Sequence, residues 1–185
     1  MSISEWKAMI QRERQQKDRF FSSHYQSPIP LEDRYRFKQL DYYSPDPDYR
    51  FEVELHEHGQ KKVLKTEDTQ GNEREFLRWG EFRFNIEGKE FTLEAYKSNP
   101  EEERLFVPFR DTTNGKETYG AGRYLDLDRE DHYTAEGKWI LDFNTAYNPW
   151  CAYSGSYACP LVDPENWLDV PVRAGERSYP LGRKA

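Results

Sequence analysis

FRFNIEGKEFTLEA, residues 82–95, decides the fold class. Phe82, Phe84 and Ile86 alternate with Arg83 and Asn85. The chain turns at Glu87-Gly88-Lys89, and Phe91, Leu93 and Ala95 return on the same period. A period of two puts one face of each segment against a core and the other in water, so the stretch reads as a β-hairpin. The period recurs on both sides. Upstream, Phe51, Val53 and Leu55 alternate with Glu52, Glu54 and His56, and Val63 sits in a partner strand after a turn at Gly59. Downstream, Leu105, Val107 and Phe109 form a strand. DTTNG (111–115) then turns the chain into YGAGRYLDLD (119–128), and WILDF (139–143) follows a polar loop. Strands in succession with short turns predict a mainly β (α+β) fold, an antiparallel meander closing into a barrel or sandwich.

The flanks differ. Residues 3–21 read as a helix: Ser2 and Glu5 have capping-box spacing, Trp6, Met9 and Ile10 make one apolar turn, and Phe20 and Phe21 close the far end. QRERQQKDR (11–19) between them is polar all round, which predicts a solvated helix docked by its two ends. SPIP (27–30) stops it. Residues 1–185 are expected to form one domain, with a helical N-terminal appendage over 1–40, a sheet core over 49–143, and an ordered loop and C-terminal segment over 144–185.

Composition narrows the function. Hydrophobic residues are only 36% of the 185, and mean hydropathy is -1.08. The core must therefore come from rings, and 13 Tyr, 11 Phe and 5 Trp supply them. A net charge of -7 with no basic stripe argues against nucleic-acid partners. No apolar run approaches the roughly 20 residues that span a bilayer, and the first residues lack the apolar stretch of a signal peptide; the expectation is a cytoplasmic protein with no membrane partner. Cys151 and Cys159 are read as two free thiols or one bridge.

The candidate site gathers around DFNTAYNPWCAYSGSYACP (142–160). A long loop over 144–167 this rich in rings and amides should fold over the mouth of the sheet, with Tyr147, Trp150 and Tyr153 enclosing a ligand. Arg123 shares a strand face with Ala121, Leu125 and Leu127, so it points inward and needs a partner or a ligand. Asp142 is the expected partner. Gly120 and Gly122 admit a close backbone or a flat ligand. Asp111 should cap the DTTNG turn, and Arg110 stands at a strand end where an anion could meet it. Cys151 would need a neighbouring base to act as a nucleophile, and none is near in sequence. His56 and His58 give only a weak two-ligand metal signal, and no metal or cofactor is assigned.

LFVPFRDTTNGKETYGAGRYLDLD (105–128) and LDFNTAYNPWCAYSGSYACPLVDPENWLDVPVRAGE (141–176) resemble the signature blocks of an uncharacterised prokaryotic family, domain of unknown function 1684. The Trp-led helix, KDRFF and SPIP are similar to it as well. The resemblance implies that the Arg-Tyr-Leu-Asp strand and the Asn-Pro-x-Cys-Ala-Tyr loop form one unit. Its pattern covers Asp111, Tyr119, Arg123, Asp142, Asn144, Tyr147, Asn148, Cys151, Tyr153, Ser154, Glu165 and Asn166, and it implies no activity. Three functions follow from these residues. The first is binding of a small polar or anionic molecule under the 144–166 loop. The second is a hydrolytic enzyme using Asp142 or Glu165 as general base, or Cys151 as nucleophile, and the third is a structural or interaction module.

Overall fold

In the computed structural model the hairpin at 82–95 is part of two long strands, β4 (Glu73–Ile86) and β5 (Lys89–Lys97), which pair antiparallel with Phe82 opposite Leu93 and Phe84 opposite Phe91. The structure describes residues 1–182; residues 183–185, the end of the expected C-terminal segment, lie outside them. Glu87 at φ 53° and Gly88 at φ 84° form the turn, because two successive positive φ angles match the twist of a two-residue hairpin. β2 (Leu55–Glu57) and β3 (Val63–Glu67) both pair with β4, β6 (Leu105–Phe109) joins β5, and β7 (Arg123–Leu127) joins β6. The result is a six-stranded antiparallel sheet.

A two-stranded ribbon stands apart from it: β1 (Arg50–Val53) pairs with β8 (Trp139–Asp142). The segment read as one strand from Phe51 to Leu55 is thus two strands, and the chain changes sheets at Glu54. The expected barrel does not form. Among the described residues no ladder joins β7 back to β2, because β8 is taken by β1 and the backbone of Tyr147 bridges Tyr124 of β7. Ribbon and sheet still share one core. Trp139, Leu141 and Phe143 meet Phe82, Phe84, Leu93, Val107, Phe109 and Leu125, and the Phe143 ring stands edge-on to Phe109 at 5.1 Å. The C-terminal segment adds Leu168, Val170, Val172 and Ala174 on a period of two.

Arg123 is the largest fully buried side chain. Its Nη2 donates to Asp111 Oδ2 and to the Val172 carbonyl, each at 2.8 Å, and its Nη1 donates to the carbonyls of Ala174 and Glu176. The expected Arg123–Asp142 pair is therefore replaced by Arg123–Asp111, and the cover is the 172–176 segment rather than the 144–166 loop. The register explains this. Phe109 lies opposite Arg123, so Asp111 emerges beside the guanidinium, whereas β8 pairs with β1. Asp111 Oδ1 also accepts from the N–H groups of Thr113 (2.9 Å) and Val172 (3.1 Å), the turn cap expected of it. Backbone and side chain both crowd Gly122: at φ 106°, a Cβ there would lie 2.7 Å from the Phe109 carbonyl oxygen and 2.7 Å from a methyl carbon of Val162.

Helix α1 (Ile3–Ser23) carries the capping box read from Ser2 and Glu5 and buries Trp6, Ile10 and Phe21. Its middle is not simply solvated. Arg14 Nη1 donates to the Tyr43 carbonyl (2.8 Å) and Nη2 to that of Asn144 (3.2 Å), while Lys17 Nζ lies 2.7 Å from Glu176 Oε2. Glu176 is fully buried. Burial raises its carboxyl above the usual range, against the pull of Lys17.

Two stability outcomes follow. Asp111→Ala strands a guanidinium with no exposure and is expected to cost about 3–5 kcal/mol in urea unfolding. Lys17→Met removes the counter-ion of Glu176 and is expected to cost about 1–3 kcal/mol at pH 7. Because the folded-state pKa of Glu176 is raised, that deficit should be full above it and fade as pH falls through it, when the neutral carboxyl no longer needs the ammonium; urea melts across pH read both.

Candidate functional site

Two adjoining hollows, of about 460 and 200 Å³, lie between α1 and the residues around 142–147, and share Glu13, Thr145 and Tyr147 in their walls. The strand period of β7 prepares the larger one. Arg123, Leu125 and Leu127 turn into the core, which sends Asp126 to the other face. Reciprocal backbone bonds between Tyr124 and Tyr147, 2.9 and 3.1 Å, bring the Tyr147 hydroxyl to Asp126 Oδ2 at 2.6 Å. The other oxygen, Asp126 Oδ1, is buried and has no hydrogen-bond partner among the described residues.

Asp142 ends β8 at the floor of the cleft. Its Oδ2 accepts from the Trp6 indole N–H at 2.8 Å, and its Oδ1 accepts from the backbone and side-chain amides of Asn144 at 2.9 and 2.8 Å. Asn144 in turn bonds the backbone of Asp46 through both ends of its amide. The pair therefore fixes where α1, β8 and the 46–49 turn meet.

The charge of the larger hollow is one-sided. Glu13, Asp126, Asp128, Asp131 and Asp142 line it, with the Arg50 guanidinium and the His132 imidazole among them and the Met1, Met9 and Ile140 side chains as apolar wall. Burial raises the Glu13 carboxyl above its ordinary value; the charges of Asp142 and Asp131 push the same way, against His132. Asp128 moves oppositely, held low by the Asp131 backbone N–H, which donates to it at 2.8 Å. Among the described residues no three His, Cys, Asp or Glu side chains converge as metal ligands. The smaller hollow is different in kind. Arg14 stacks over the Tyr42 ring at 4.4 Å, and Arg14 Nε and the Tyr42 hydroxyl are buried without hydrogen-bond partners among the described residues. Burial lowers the pKa of Arg14 and raises that of the phenol.

Of the residues singled out in the sequence, Asp142, Asn144 and Tyr147 line the cleft. The others lie elsewhere. Arg123 and Asp111 hold each other in the core, and the Arg110 guanidinium lies over the Trp167 ring at 4.5 Å. Asn148 is buried against Glu176. Cys151, Cys159, Tyr119 and Tyr153 belong to a second buried cluster with Phe21 and Phe37. The two thiols are free, the Cys151 N–H meets Cys159 Sγ at 3.3 Å, and the Cys159 thiol draws the Cys151 pKa down. Ser154 bonds Ser156. Glu165 pairs with Arg78 and accepts from the Tyr96 hydroxyl at 2.6 Å, while Asn166 bridges the backbones of β5 and β6.

Sequence reasoning passed over Glu13, Arg14, Lys17, Tyr42, Arg50, Asp128, Asp131 and His132. A signal existed for the helix. Trp6, Ile10, Arg14, Lys17 and Phe21 recur every three or four residues, so Arg14 and Lys17 continue the buried stripe through the polar middle.

Among the described residues no helix is long and apolar enough to cross a membrane. No curated protein matches the sequence. The fold is similar to the solution NMR structure of an uncharacterised protein of Haloarcula marismortui, at 41% identity over 94% of this chain and 95% of that one, with a TM-score of 0.71. Residues 35–177, which carry β1 to β8, the 144–166 loop and the segment that covers Arg123, match the family described as "Protein of unknown function (DUF1684)", and the chain belongs to it.

Proposed function

We propose that this protein binds a small polar molecule carrying positive charge, an amine or a guanidine, in the larger hollow beneath α1. The observation that carries the reading is five carboxylates around a space of about 460 Å³, one of them with an oxygen that is buried and unpartnered. Carboxylates crowded in a half-enclosed space repel one another, and a cation placed among them relieves that repulsion; the Glu13 carboxyl is raised chiefly by burial, with Asp142 and Asp131 adding to it. Met9, Ile140 and the Tyr147 ring offer apolar contact beside the charges, the usual makeup of a ligand pocket.

The larger hollow touches the 144–166 loop at Thr145 and Tyr147, and the ligand proposed for it is a cation where the sequence alone favours a polar or anionic one. An anion at Arg123 is not supported, since Asp111 and three carbonyls occupy that guanidinium. A hydrolytic reading is weaker too. Asp142 is saturated by Trp6 and Asn144, Glu165 by Arg78 and Tyr96, and Cys151 is buried in a ring cluster with no base beside it. Two unbridged thiols fit the reducing cytoplasm expected of this chain.

Titration of the protein with a panel of small amines, amino acids and guanidines, followed by thermal shift and by amide resonances, tests the reading. At least one amine is expected to raise the melting temperature and to move resonances of residues 9–14, 126–132 and 142–147. Asp131→Asn is expected to weaken that binding about tenfold, the loss of one charged contact. If no cation tried perturbs those residues, the reading falls. Glu13→Gln gives an independent check of the field in the cleft. A folded-state carboxyl pKa above the unfolded one makes the ionised form unfavourable. Removing the charge should therefore stabilise the protein at pH 7, by up to about 0.5 kcal/mol, with the gain gone below pH of about 4.

A further inference from the structure

The connection between β2 and β3 builds a second site, and none of its residues lines the α1 cleft. Both strands pair with β4, on either side of a bulge where the register slips between Arg78 and Gly80. A bulge adds a residue to one strand and re-aims the side chains around it. Here the connecting turn is pinned onto the bulge from both ends. The His58 N–H donates to the Trp79 carbonyl at 3.0 Å, the Arg78 N–H donates to the Lys62 carbonyl at 2.8 Å, and Lys61 Nζ donates to the Trp79 carbonyl at 2.7 Å. Gly80 permits the approach, since a Cβ there would sit 2.7 Å from the His56 carbonyl oxygen. Backbone bonds thus set His58 and Lys62 beside Arg78. With Gly59 and Gln60 these three line a hollow of about 360 Å³.

The wall of this hollow contains no carboxylate; it presents an imidazole, an ammonium, a guanidinium and an amide, in a chain whose net charge is -7. The carboxylates stand behind. Glu94, its side chain 8% exposed, takes His58 Nε2 at 2.8 Å and lies 3.4 Å from Arg78 Nη2. Glu165 takes Arg78 Nη2 and is itself held by the Tyr96 hydroxyl. Asn166 then fixes Glu94 by bonding its backbone N–H and carbonyl at 2.8 and 2.9 Å. An imidazole held at one nitrogen by a buried carboxylate is oriented, and its other nitrogen is left for something else. Among the described residues Lys62 Nζ has neither a hydrogen bond nor an ion pair, and Arg78 Nε is buried without a partner.

We propose that His58, Lys62 and Arg78 form a binding site for a small oxyanion, the phosphate or carboxylate group of a small molecule, with Glu94, Glu165 and Asn166 as positioning residues. Lys62 supplies the uncompensated charge, and His58 and Arg78 supply directed donors. The site stands independently of the cationic ligand assigned to the α1 cleft.

Inorganic phosphate and acetate, titrated separately into the full chain against chloride at matched ionic strength, test it through amide resonances and the His58 ring. Saturable shifts confined to residues 58–62 and 78 are expected for at least one of the two, and which one binds names the group. Lys62→Gln, at an exposed position, is expected to weaken binding about threefold with unchanged melting temperature, and His58→Gln to weaken it as well, with a lowered melting temperature because it takes a partner from the buried Glu94 carboxylate. Shifts that chloride reproduces, shifts centred elsewhere, or an affinity unchanged in Lys62→Gln would each overturn the proposal. Resonances of the α1 cleft serve as the internal reference, so failure here leaves the amine titration unaffected.

Discussion

A guanidinium with no access to water has to find its counterparts within the protein, and Arg123 finds them for both terminal nitrogens, Nε alone of its three nitrogens having no hydrogen-bond partner among the described residues, in a way that organises the whole chain. One partner is a carboxylate from the turn after the neighbouring strand. The rest are carbonyls of the extended segment 172–176. Arg123 thereby joins β7, the DTTNG turn and a C-terminal segment that has no ladder of its own. Asp111 reinforces the arrangement by bonding the Val172 N–H. Val172 and Ala174 of that segment, with Leu168 and Val170 before it, then pack into the core that the sheet and the ribbon share.

The same segment positions α1. Glu176 supplies the last of the Arg123 carbonyls, and its buried carboxylate faces Lys17 and the amides of Asn148. The helix is therefore held by rings near both ends and by two cations between them, and the cleft lies beneath it. Its walls come from segments distant in sequence: the polar stretch of α1, the outer face of β7, the 128–132 turn and the first residues of the long loop.

The strands were legible because a half-buried sheet writes its period into the residues, as at Phe82–Ile86 and Leu105–Phe109. The inward direction of Arg123 was legible for the same reason. Its partner was not, because pairing order lies in register: Asp142 looked close only while β8 was taken to follow β7 in the same sheet, and β8 instead joins β1. The ring-rich loop drew attention as a ligand lid, yet Cys151, Tyr153 and Tyr119 pack with Phe21 and Phe37 as a satellite core, the use that a chain poor in aliphatic residues makes of its rings. The cleft itself was mostly hidden. Asp126, Asp128, Asp131 and Glu13 are ordinary surface residues by type, and only tertiary contact places them together. The carboxylate beside Arg78 shows the converse. Glu165 was singled out as a base, and its surroundings make it a support.

The carbonyls that receive Arg123 also impose an order on how the protein is made. A ribosome delivers the strands first, and the guanidinium is synthesised some fifty residues before the last of its acceptors, Glu176. Until that stretch leaves the exit tunnel, the nascent sheet carries an arginine on its apolar face with nothing but Asp111 to answer it. The hairpin of β4 and β5 can form as soon as its own residues are free, since its contacts are local, but the interior around Arg123 can close only once residues 172–176 lie across it.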